Sequence, residues 1–556
     1  MSRTKSAPQM DHLSRGSKAF QHLKTTSPLI TRWHRMAATS AGSWCTARLK
    51  KMTQQPGIPV RSVETPEAED EGDQSLGRHA SRESEGPYTS NDAGERVTPD
   101  PAEQRGSAPR RNELQEGTMS DATTSWTKSP GLVKVAERAK RHPEQRILAL
   151  AHLIDEPALE RAYRSLRRDA AVGVDGVTVE QYGGQLAANL QALRARMKAG
   201  QYRHQPIRRV NIPKENGATR PIGVSTVEDK IVQGALREVL EAVYEQDFVD
   251  CSYGFRPGRG AHDAIRALNA VVMQGHANYI VEADIVSFFD SIDRKMLMEM
   301  LRGRIADERL MRLVGKCLHV GILDGERVLE PSEGTAQGSS LSPLLGNVYL
   351  HHVLDVWFEC EVRPHLQASS ALVRYADDFV LCFEHADDAA YVWSILEERF
   401  ETFGLTLHPK KTRSLAFRPP AQGGEGGGAT FDFLGFTLHW QRTRWGAWRV
   451  ACRTRGARLR RAIKAAAEWC RRHRHDSVEE QHRALTRKLV GHYNYFGVNG
   501  NGRALQNLRY AVTRVWRKWL NRRSQRARMT WPRFNELLRA HPLPAARIKV
   551  QIWNTP

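Results

Sequence analysis

The stretch that most constrains the fold is residues 372–383, Leu-Val-Arg-Tyr-Ala-Asp-Asp-Phe-Val-Leu-Cys-Phe. Two apolar, β-prone runs flank a short polar centre, which predicts a buried hairpin. The centre carries two adjacent carboxylates, Asp377 and Asp378. Because successive side chains of a strand point to opposite faces, adjacent carboxylates share a direction only at a turn. Acids in an apolar hairpin are costly unless a cation pairs with them, so the stretch predicts a cation-binding turn.

A second β-prone run lies upstream, at residues 279–283, and Asp284 follows it directly. Two strands that deliver Asp284 and Asp377 to one point would form a site for two cations. Such sites hold two ions roughly 3.5–4 Å apart and clamp the attacking and leaving oxygens of a phosphoryl transfer. Carboxylate oxygens suit Mg²⁺, so two Mg²⁺ ions are the predicted cofactors. The structural alternative is a hairpin with an ordinary acidic turn.

The Tyr-Ala-Asp-Asp turn and the upstream Asp-Ile-x-x-Phe-Phe-Asp of residues 284–290 resemble the palm of a reverse transcriptase. A single Tyr-x-Asp-Asp recurs by chance, whereas the two motifs in this order are specific. The resemblance implies that Asp284, Asp377 and Asp378 are catalytic. It also implies that these three residues, with Ile285, form the metal site.

Residues 206–224 contain two short β-prone runs around Glu-Asn-Gly, which predicts a hairpin. Lys214 and Arg220 lie on its two arms, and both residue types suit contacts with phosphate. In the family that the sequence resembles, this hairpin of the fingers grips the incoming triphosphate. A solvated basic hairpin is the alternative.

The resemblance implies three further nucleotide contacts. Phe289, five residues after Asp284, would lie against the sugar 2′ position and favour deoxynucleotides, unless it is a core aromatic residue. Gln337 lies in a segment that resembles the family's Pro-Gln-Gly motif, with Ala336 in place of proline. Lys411 would lie near the triphosphate, where a cation helps to neutralise the leaving pyrophosphate; a surface lysine is the alternative.

Residues 252–264 are rich in glycine and carry Arg256 and Arg259. The composition predicts a loop, followed by a helix from 261 to 271. The segment resembles a fingers–palm signature of intron-encoded enzymes. We expect Arg256 and Arg259 to contact nucleic acid, with Arg256 supporting the template strand or the active site, and a purely structural role for Arg256 is the alternative.

The positive charge of the chain is concentrated at its C-terminal end. Residues 451–556 contain 25 Lys and Arg against five Asp and Glu, which is nearly all of the net charge of +21. Such a block predicts a nucleic-acid-binding surface. A solvated basic surface or a contact with anionic membrane is the alternative, and no apolar run reaches the ~18 residues of a membrane span.

Within this block, two helical patterns place apolar residues on one face and cations around them. Together with Tyr-Asn-Tyr-Phe-Gly at 493–497, they resemble the thumb, or maturase domain, of proteins encoded by group II introns. The nucleic-acid contacts expected there are Arg471, Arg472, Arg514, Arg517 and Lys518. We find no paired Cys and His residues like those of the endonuclease domain of some relatives.

The N-terminal segment has a different composition. Residues 54–118 are rich in Glu, Ser, Gly, Pro and Arg, which predicts disorder; Met119 is a candidate start of the natural product. The predicted division is a disordered extension (1–118), a helical extension of the fingers (119–200), fingers and palm (201–450), and a basic helical thumb or maturase domain (451–556).

The predicted fold is α+β: a right-hand polymerase with an antiparallel palm sheet and a helical thumb. The predicted function is RNA-directed DNA synthesis by a group II intron-encoded reverse transcriptase that also binds intron RNA to assist splicing. Its partners would be intron RNA, RNA template, DNA primer or target and deoxynucleoside triphosphates, in the bacterial cytoplasm. Two alternatives are an RNA-binding splicing factor that needs no polymerase activity, and a domesticated reverse transcriptase of a defence or diversity-generating system. The sequence does not decide between monomer and homodimer.

Overall fold

The computed structural model describes residues 129–213, 219–324, 327–329, 334–335, 338–420, 428–524, 526 and 528–553. Four parts of the chain named above lie outside the described residues: the predicted disordered extension, Lys214, Ala336 and Gln337. The side chain of Arg220 also lies outside them.

The described chain begins with helices. These are α1 (Pro130–Arg141), α2 (Glu156–Arg164), α3 (Val179–Gly183) and α4 (Leu186–Lys198). The helical extension predicted for residues 119–200 is interrupted between α1 and α2. Pro143 lies two residues after the end of α1, and a proline disfavours helical backbone in the residue before it, here His142. Ile147 instead donates its backbone N–H to the carbonyl of Arg304 at 3.0 Å.

The next part of the chain supplies a hairpin, a strand and five helices. These are β1 (Ile207–Pro213), β2 (Thr219–Val224), α5 (Val227–Tyr244), α6 (Ala261–Met273), β3 (Tyr279–Ala283), α7 (Phe288–Ser291), α8 (Arg294–Arg304) and α9 (Glu308–Leu318). The predicted hairpin at 206–224 is confirmed, because β1 and β2 pair antiparallel from Arg208 opposite Val224 to Pro213 opposite Thr219. The helix predicted from residue 261 is α6.

The following elements complete two sheets. They are β4 (Ile322–Asp324), β5 (Arg327–Leu329), α10 (Ser342–Leu350), β6 (Ser370–Tyr375), β7 (Asp378–Phe383), α11 (Ala386–Thr402) and β8 (Arg413–Ala416). One sheet has the order β2-β1-β4-β5, with β1 and β4 parallel. The other, here the central sheet, has the order β6-β7-β3-β8 and is antiparallel throughout.

The central sheet is buried on both faces. Val281, Leu381 and Phe383 belong to a core that also contains residues of α5, α10 and α11. Ile280 and Cys382, one position away on the same strands, belong to a second core with residues of α6 and the C-terminal sheet. This alternation explains why the strands read as almost continuous apolar runs instead of alternating with polar residues.

The C-terminal part combines a small sheet with a helical unit. Its elements are β9 (Phe431–Phe433), β10 (Phe436–Arg442), β11 (Trp448–Thr454), α12 (Gly456–Arg472), α13 (Val478–Phe496), α14 (Gly502–Leu520) and α15 (Trp531–Ala540). The sheet order is β11-β10-β9. Strand β11 crosses residue 450, so the predicted domain boundary at 450/451 falls inside a strand.

The C-terminal helices enclose a third core. In α14 the buried residues are Leu505, Leu508, Val512, Trp516 and Leu520. The predicted helical face also includes Val515 and Trp519 if the apolar residues are spaced by three and four, but these two are only partly buried against this core. The apolar stripe therefore turns by about one residue along the helix. No helix in the described part of the chain is both long enough and apolar enough to cross a membrane.

Candidate active site

The hairpin of β6 and β7 places two acids at its tip. Tyr375 and Asp378 form the last pair of the ladder, so Ala376 and Asp377 are the loop. We call residues 375–378 the carboxylate turn. Ala376 has a φ of 56°, as a two-residue hairpin of type II′ requires at its first loop position. The predicted turn is thus confirmed, and it explains how neighbouring carboxylates face the same region.

Asp284 follows the last residue of β3, the strand next to β7. Ala283 lies opposite Phe379 in the register of this pair, so the next residue of each strand toward the turn is Asp284 on β3 and Asp378 on β7. The backbone carbonyl of Asp284 accepts a hydrogen bond from the N–H of His408 at 2.8 Å. The sheet register therefore brings together the acids that the sequence predicted as catalytic.

The two other carboxylates affect the pKa of Asp378. Desolvation, followed by the charges of Asp377 and Asp284, raises the pKa of Asp378 from an ordinary 3.8 to about 7. Lys411 and Arg458 act in the opposite direction. Asp378 is itself exposed to solvent, and its two acidic neighbours would make a bound cation favourable there.

Lys411 lies directly against this group. Its Nζ is 2.6 Å from a carboxylate oxygen of Asp284, and about half of the lysine side chain is exposed. The family resemblance implies a position for Lys411 near the triphosphate. The structure brings it to the carboxylates, and its contact with a nucleotide stays a prediction.

The carboxylate set has the right chemistry for Mg²⁺, which binds through one or two carboxylates together with substrate phosphates. Among the described residues, however, no three His, Cys, Asp or Glu side chains are grouped closely enough to hold a metal by themselves. Desolvation first, and then the repulsion by Asp377 and Asp284, raise the pKa of Asp378, and a divalent cation bound here would offset both effects. Ile285, the remaining predicted metal ligand, is buried and bridges to Leu407.

Phe289 lies at the edge of the same region. Its neighbour Phe288 is buried, whereas Phe289 is only partly buried. The two rings are 5.2 Å apart, and a Cβ added to Gly346 would lie 3.2 Å from the ring of Phe289. Phe288 is therefore the core residue of the pair, and the contact of Phe289 with the sugar stays a prediction.

The structure corrects the expectation for Arg256. Its guanidinium is buried, donates to a carboxylate oxygen of Glu245 at 3.1 Å, and also donates to the carbonyls of Val249 and Ser252. It is not available to nucleic acid and has the structural role named as the alternative. Arg259 is more exposed and donates to Asp250 at 2.6 Å, so it braces the same loop.

The C-terminal cations form a recognisable surface. A cavity of about 480 Å³ is lined by Arg471, Arg472, Arg474, Trp519 and Arg522, which we call the arginine groove. Of the other expected contacts, Arg514 lies over Tyr510, Arg517 over Trp531 and Lys518 over Trp519. Arg471 and Arg472 both donate to Glu468, at 2.8 and 3.0 Å.

Sequence reasoning missed two residues near the carboxylates. Arg458, in the first turn of α12, acts on Asp378 although 80 residues separate them. Arg374, two residues before the turn loop, is fully buried beneath it. A basic residue inside an apolar strand was the available signal for Arg374. Nothing in the local sequence distinguishes Arg458 from the other arginines of its helix.

Comparison with known proteins gives concordant matches. Residues 212–438 match the family of reverse transcriptases (RNA-dependent DNA polymerases). The chain is 35% identical over 349 residues to Protein YkfC of Escherichia coli K12, covering 57% of this chain and 90% of that protein. It is 36% identical over 193 residues to the group II intron-encoded protein LtrA of Lactococcus lactis subsp. cremoris, covering 34% of this chain and 32% of LtrA.

A third relative also lies within an intron. The chain is 34% identical over 228 residues to an uncharacterised 91 kDa protein in the cob intron of Schizosaccharomyces pombe, covering 40% of this chain and 28% of that protein. The chain thus spans most of YkfC but about a third of the two intron-encoded relatives.

Proposed function

This chain belongs to the group II intron-encoded reverse transcriptases, and on that premise we propose that Asp284, Asp377 and Asp378 form its polymerase centre. The reaction is attack of a primer 3′-hydroxyl on the α-phosphate of a deoxynucleoside triphosphate, with pyrophosphate leaving. RNA is the template.

The observation that carries this proposal is the convergence of the three carboxylates. Asp284 directly follows one strand, and Asp377 and Asp378 lie in the turn of the neighbouring hairpin. The pKa of Asp378 responds to both of the other acids. Asp284 and Asp377 would hold two Mg²⁺ ions, which when bound favour the 3′-alkoxide and stabilise the charge on the leaving pyrophosphate. Asp378 supports the pair.

Other residues of the chain would orient the substrate. The hairpin of β1 and β2 would be the fingers, with Lys214 and Arg220 toward the triphosphate. The partly exposed ring of Phe289 would lie against the sugar and exclude a 2′-hydroxyl. Gln337 would lie at the nascent base pair, and the ammonium of Lys411 would move from Asp284 to the phosphates as a nucleotide enters.

The helical unit of α12–α14 would be the thumb that follows the duplex. Arg458 supports this assignment, because it lies in the first turn of α12 and its charge lowers the pKa of Asp378 in the central sheet. A helix that carries a cation to the carboxylates would couple the position of the duplex to the catalytic centre. The central sheet would correspondingly be the palm.

A second candidate function is binding of intron RNA to assist splicing, and the arginine groove favours it. Four arginines and one tryptophan line the groove, so phosphate and a stacked base can be bound at one place. This function needs no polymerisation. It would therefore survive loss of a catalytic carboxylate.

The test compares the full-length wild-type chain with Asp377→Ala in two assays. Primer extension on an RNA template with Mg²⁺ should be lost in Asp377→Ala, because the turn loses a metal ligand, while splicing of the flanking intron RNA at low Mg²⁺ should persist in both proteins. Asp387→Ala, on the exposed first turn of α11, is the control and should extend normally. Extension by Asp377→Ala at the wild-type rate would overturn the assignment of the centre.

A further inference from the structure

A buried ion pair lies directly beneath the carboxylate turn. Arg374, in β6, donates from Nε to one oxygen of Asp355 at 2.7 Å and from Nη2 to the other at 2.5 Å. Both side chains are completely inaccessible to solvent. Burial opposes the charge of Arg374, but Asp355 outweighs it, so the pKa of Arg374 is raised and its guanidinium stays charged.

The remaining donors of Arg374 reach three other segments. Nη1 donates to the side-chain oxygen of Asn347 and to the backbone carbonyl of Ala376, both at 3.0 Å. Nη2 also donates to the hydroxyl of Ser252 at 2.7 Å. A guanidinium has five N–H donors in a fixed planar arrangement, and here each of the five has one acceptor. The direction of every acceptor is thereby fixed relative to the others.

One of these acceptors belongs to the turn itself. The carbonyl of Ala376 lies in the same rigid peptide plane as the backbone nitrogen of Asp377. Holding that oxygen therefore fixes the plane from which Asp377 projects. Ala376 also has a φ of 56°, a backbone conformation that residues with a Cβ rarely adopt. The strained turn needs such a restraint to persist.

The preceding peptide is in contact with a second segment, at Gly254. A Cβ added to Gly254 would lie 2.3 Å from the backbone nitrogen of Ala376, so the two backbones are in direct contact. Asn347 links the two restraints, because its Nδ2 donates to the carbonyl of Gly254 at 2.7 Å while its oxygen accepts from Arg374. The turn is thus held between Gly254 and Arg374.

Asp355 lies in an unusual helical segment. The helix after α10 continues as π-helix over His351–Asp355 and Trp357–Val362, and Val356 donates its N–H to the carbonyl of His351 five residues back. π-helical segments are rare and are concentrated at functional sites. A buried ion pair adds little net stability compared with apolar residues of similar volume, so stability alone does not account for this arrangement.

We propose that Arg374 and Asp355 are positioning residues, which set the direction of the Asp377 carboxylate by holding the carbonyl of Ala376. This inference rests on the proposed polymerase function. It assigns the pair no contact with substrate. Its consequence is that metal binding and turnover depend on the pair even when the fold does not.

The test uses Arg374→Lys in the full-length chain, because lysine keeps the charge but cannot reach all the acceptors. We expect kcat for primer extension to fall roughly 100-fold, as a misplacement of about 1 Å can cause, with KM for the deoxynucleotide changed much less. A second readout is independent of turnover: binding of Mn²⁺ to the protein, followed by electron paramagnetic resonance, should weaken. Asp377→Asn gives the reference loss of Mn²⁺ binding.

Arg304→Lys is the matched control. Arg304 is also buried, pairs with Asp247 at 2.8 Å, and donates to backbone carbonyls, but these carbonyls lie in α1 and the residues after it, and Asp247 follows α5. Both substitutions should lower the melting temperature. Only Arg374→Lys should change kcat and Mn²⁺ binding, and an equal loss of both in Arg304→Lys would overturn the inference.

Asn347→Ala covers the case in which Arg374→Lys does not fold. It removes one link to Arg374 and one to Gly254 without leaving a buried charge unpaired, and it should lower kcat and Mn²⁺ binding in the same direction. Wild-type kcat and Mn²⁺ binding in a folded Arg374→Lys or Asn347→Ala would refute the positioning role. Absence of synthesis by wild-type protein that still binds Mn²⁺ would instead refute the proposed polymerase function.

Discussion

At the scale of single residues, the proposed centre contains an acid whose environment departs from that of an ordinary surface carboxylate. This acid is Asp378, because its pKa is raised to about 7 by desolvation and by two neighbouring acids. The sequence located these acids from their position in β-prone runs. It did not indicate that Lys411 pairs with Asp284 or that Arg256 is buried on Glu245, since both contacts join residues from different elements.

The raised pKa of Asp378 predicts a specific dependence of stability on pH. Between about pH 4 and pH 7 the native state holds a proton on Asp378 that the unfolded chain has released. The native state then binds more protons than the unfolded state, so the free energy of unfolding falls as pH rises through this window. Asp378→Asn cannot ionise, and it should weaken this dependence and be more stable than wild type at pH 8.

Urea unfolding of both proteins in the presence of a chelator, from pH 4 to pH 8, measures this effect. Asp387→Asn, on the exposed start of α11, is the control for removal of a carboxylate. Identical pH slopes for wild type and Asp378→Asn would contradict the electrostatic coupling of the three acids.

At the scale of elements, the central sheet determines which residues meet. Alternation along β3 and β7 sends neighbouring side chains into two different cores, which fixes the register because a slip of one residue would exchange the faces. That register places Asp284 beside the carboxylate turn. The sequence predicted the hairpins and helices well where periodicity was strong, and failed between α1 and α2, where Ile147 pairs with a distant segment.

The contact between the loop at Gly254 and the carboxylate turn yields a prediction about backbone packing. In Gly254→Ala the new Cβ would meet the nitrogen of Ala376 at 2.3 Å and the carbonyl carbon of Tyr375 at 2.9 Å. Backbone atoms cannot move aside as a flexible side chain does, so the turn must shift. Primer extension should fall roughly 100-fold, with RNA binding retained.

Gly303→Ala is the matched control for this substitution. Gly303 lies in α8, and a Cβ there would meet nothing within 4 Å. Alanine is favoured over glycine within a helix by about 1 kcal/mol, so this variant should be fully active and slightly more stable. Equal primer extension by the two variants would show that the close approach at Gly254 does not restrain the turn.

At the scale of the whole molecule, charge is divided between a nearly neutral N-terminal part and a strongly basic C-terminal part. The structure arranges some of this charge as the arginine groove. A surface of this kind binds phosphates by releasing counterions, so its affinity for RNA should fall steeply with salt. The division of charge was evident from composition, whereas the groove depends on how α12 and α14 pack.

Arg472→Ala tests whether the groove contributes to RNA binding. If one phosphate contact is lost, the plot of the logarithm of the RNA-binding constant against the logarithm of the salt concentration should become less steep, by about 0.7–0.9. Filter binding of intron RNA at roughly 50 to 200 mM KCl measures this slope. Arg363→Ala is a close control, because Arg363 also pairs with a glutamate one helical turn earlier, Glu359, at 2.6 Å. An equal change of slope in both variants would argue against a specific role for the groove.

The sequence by itself determined the α+β class, the hairpin at 372–383, the identity of the three acids and the concentration of positive charge near the C-terminus. These features depend on local periodicity, turn chemistry and composition, which are properties of neighbouring residues. Only the tertiary structure decided that Arg256 is buried against Glu245, that Lys411 pairs with Asp284, and that Arg374 donates to the carbonyl of Ala376. Those outcomes depend on which distant segments share a buried space, and there each polar group takes the partner that satisfies it.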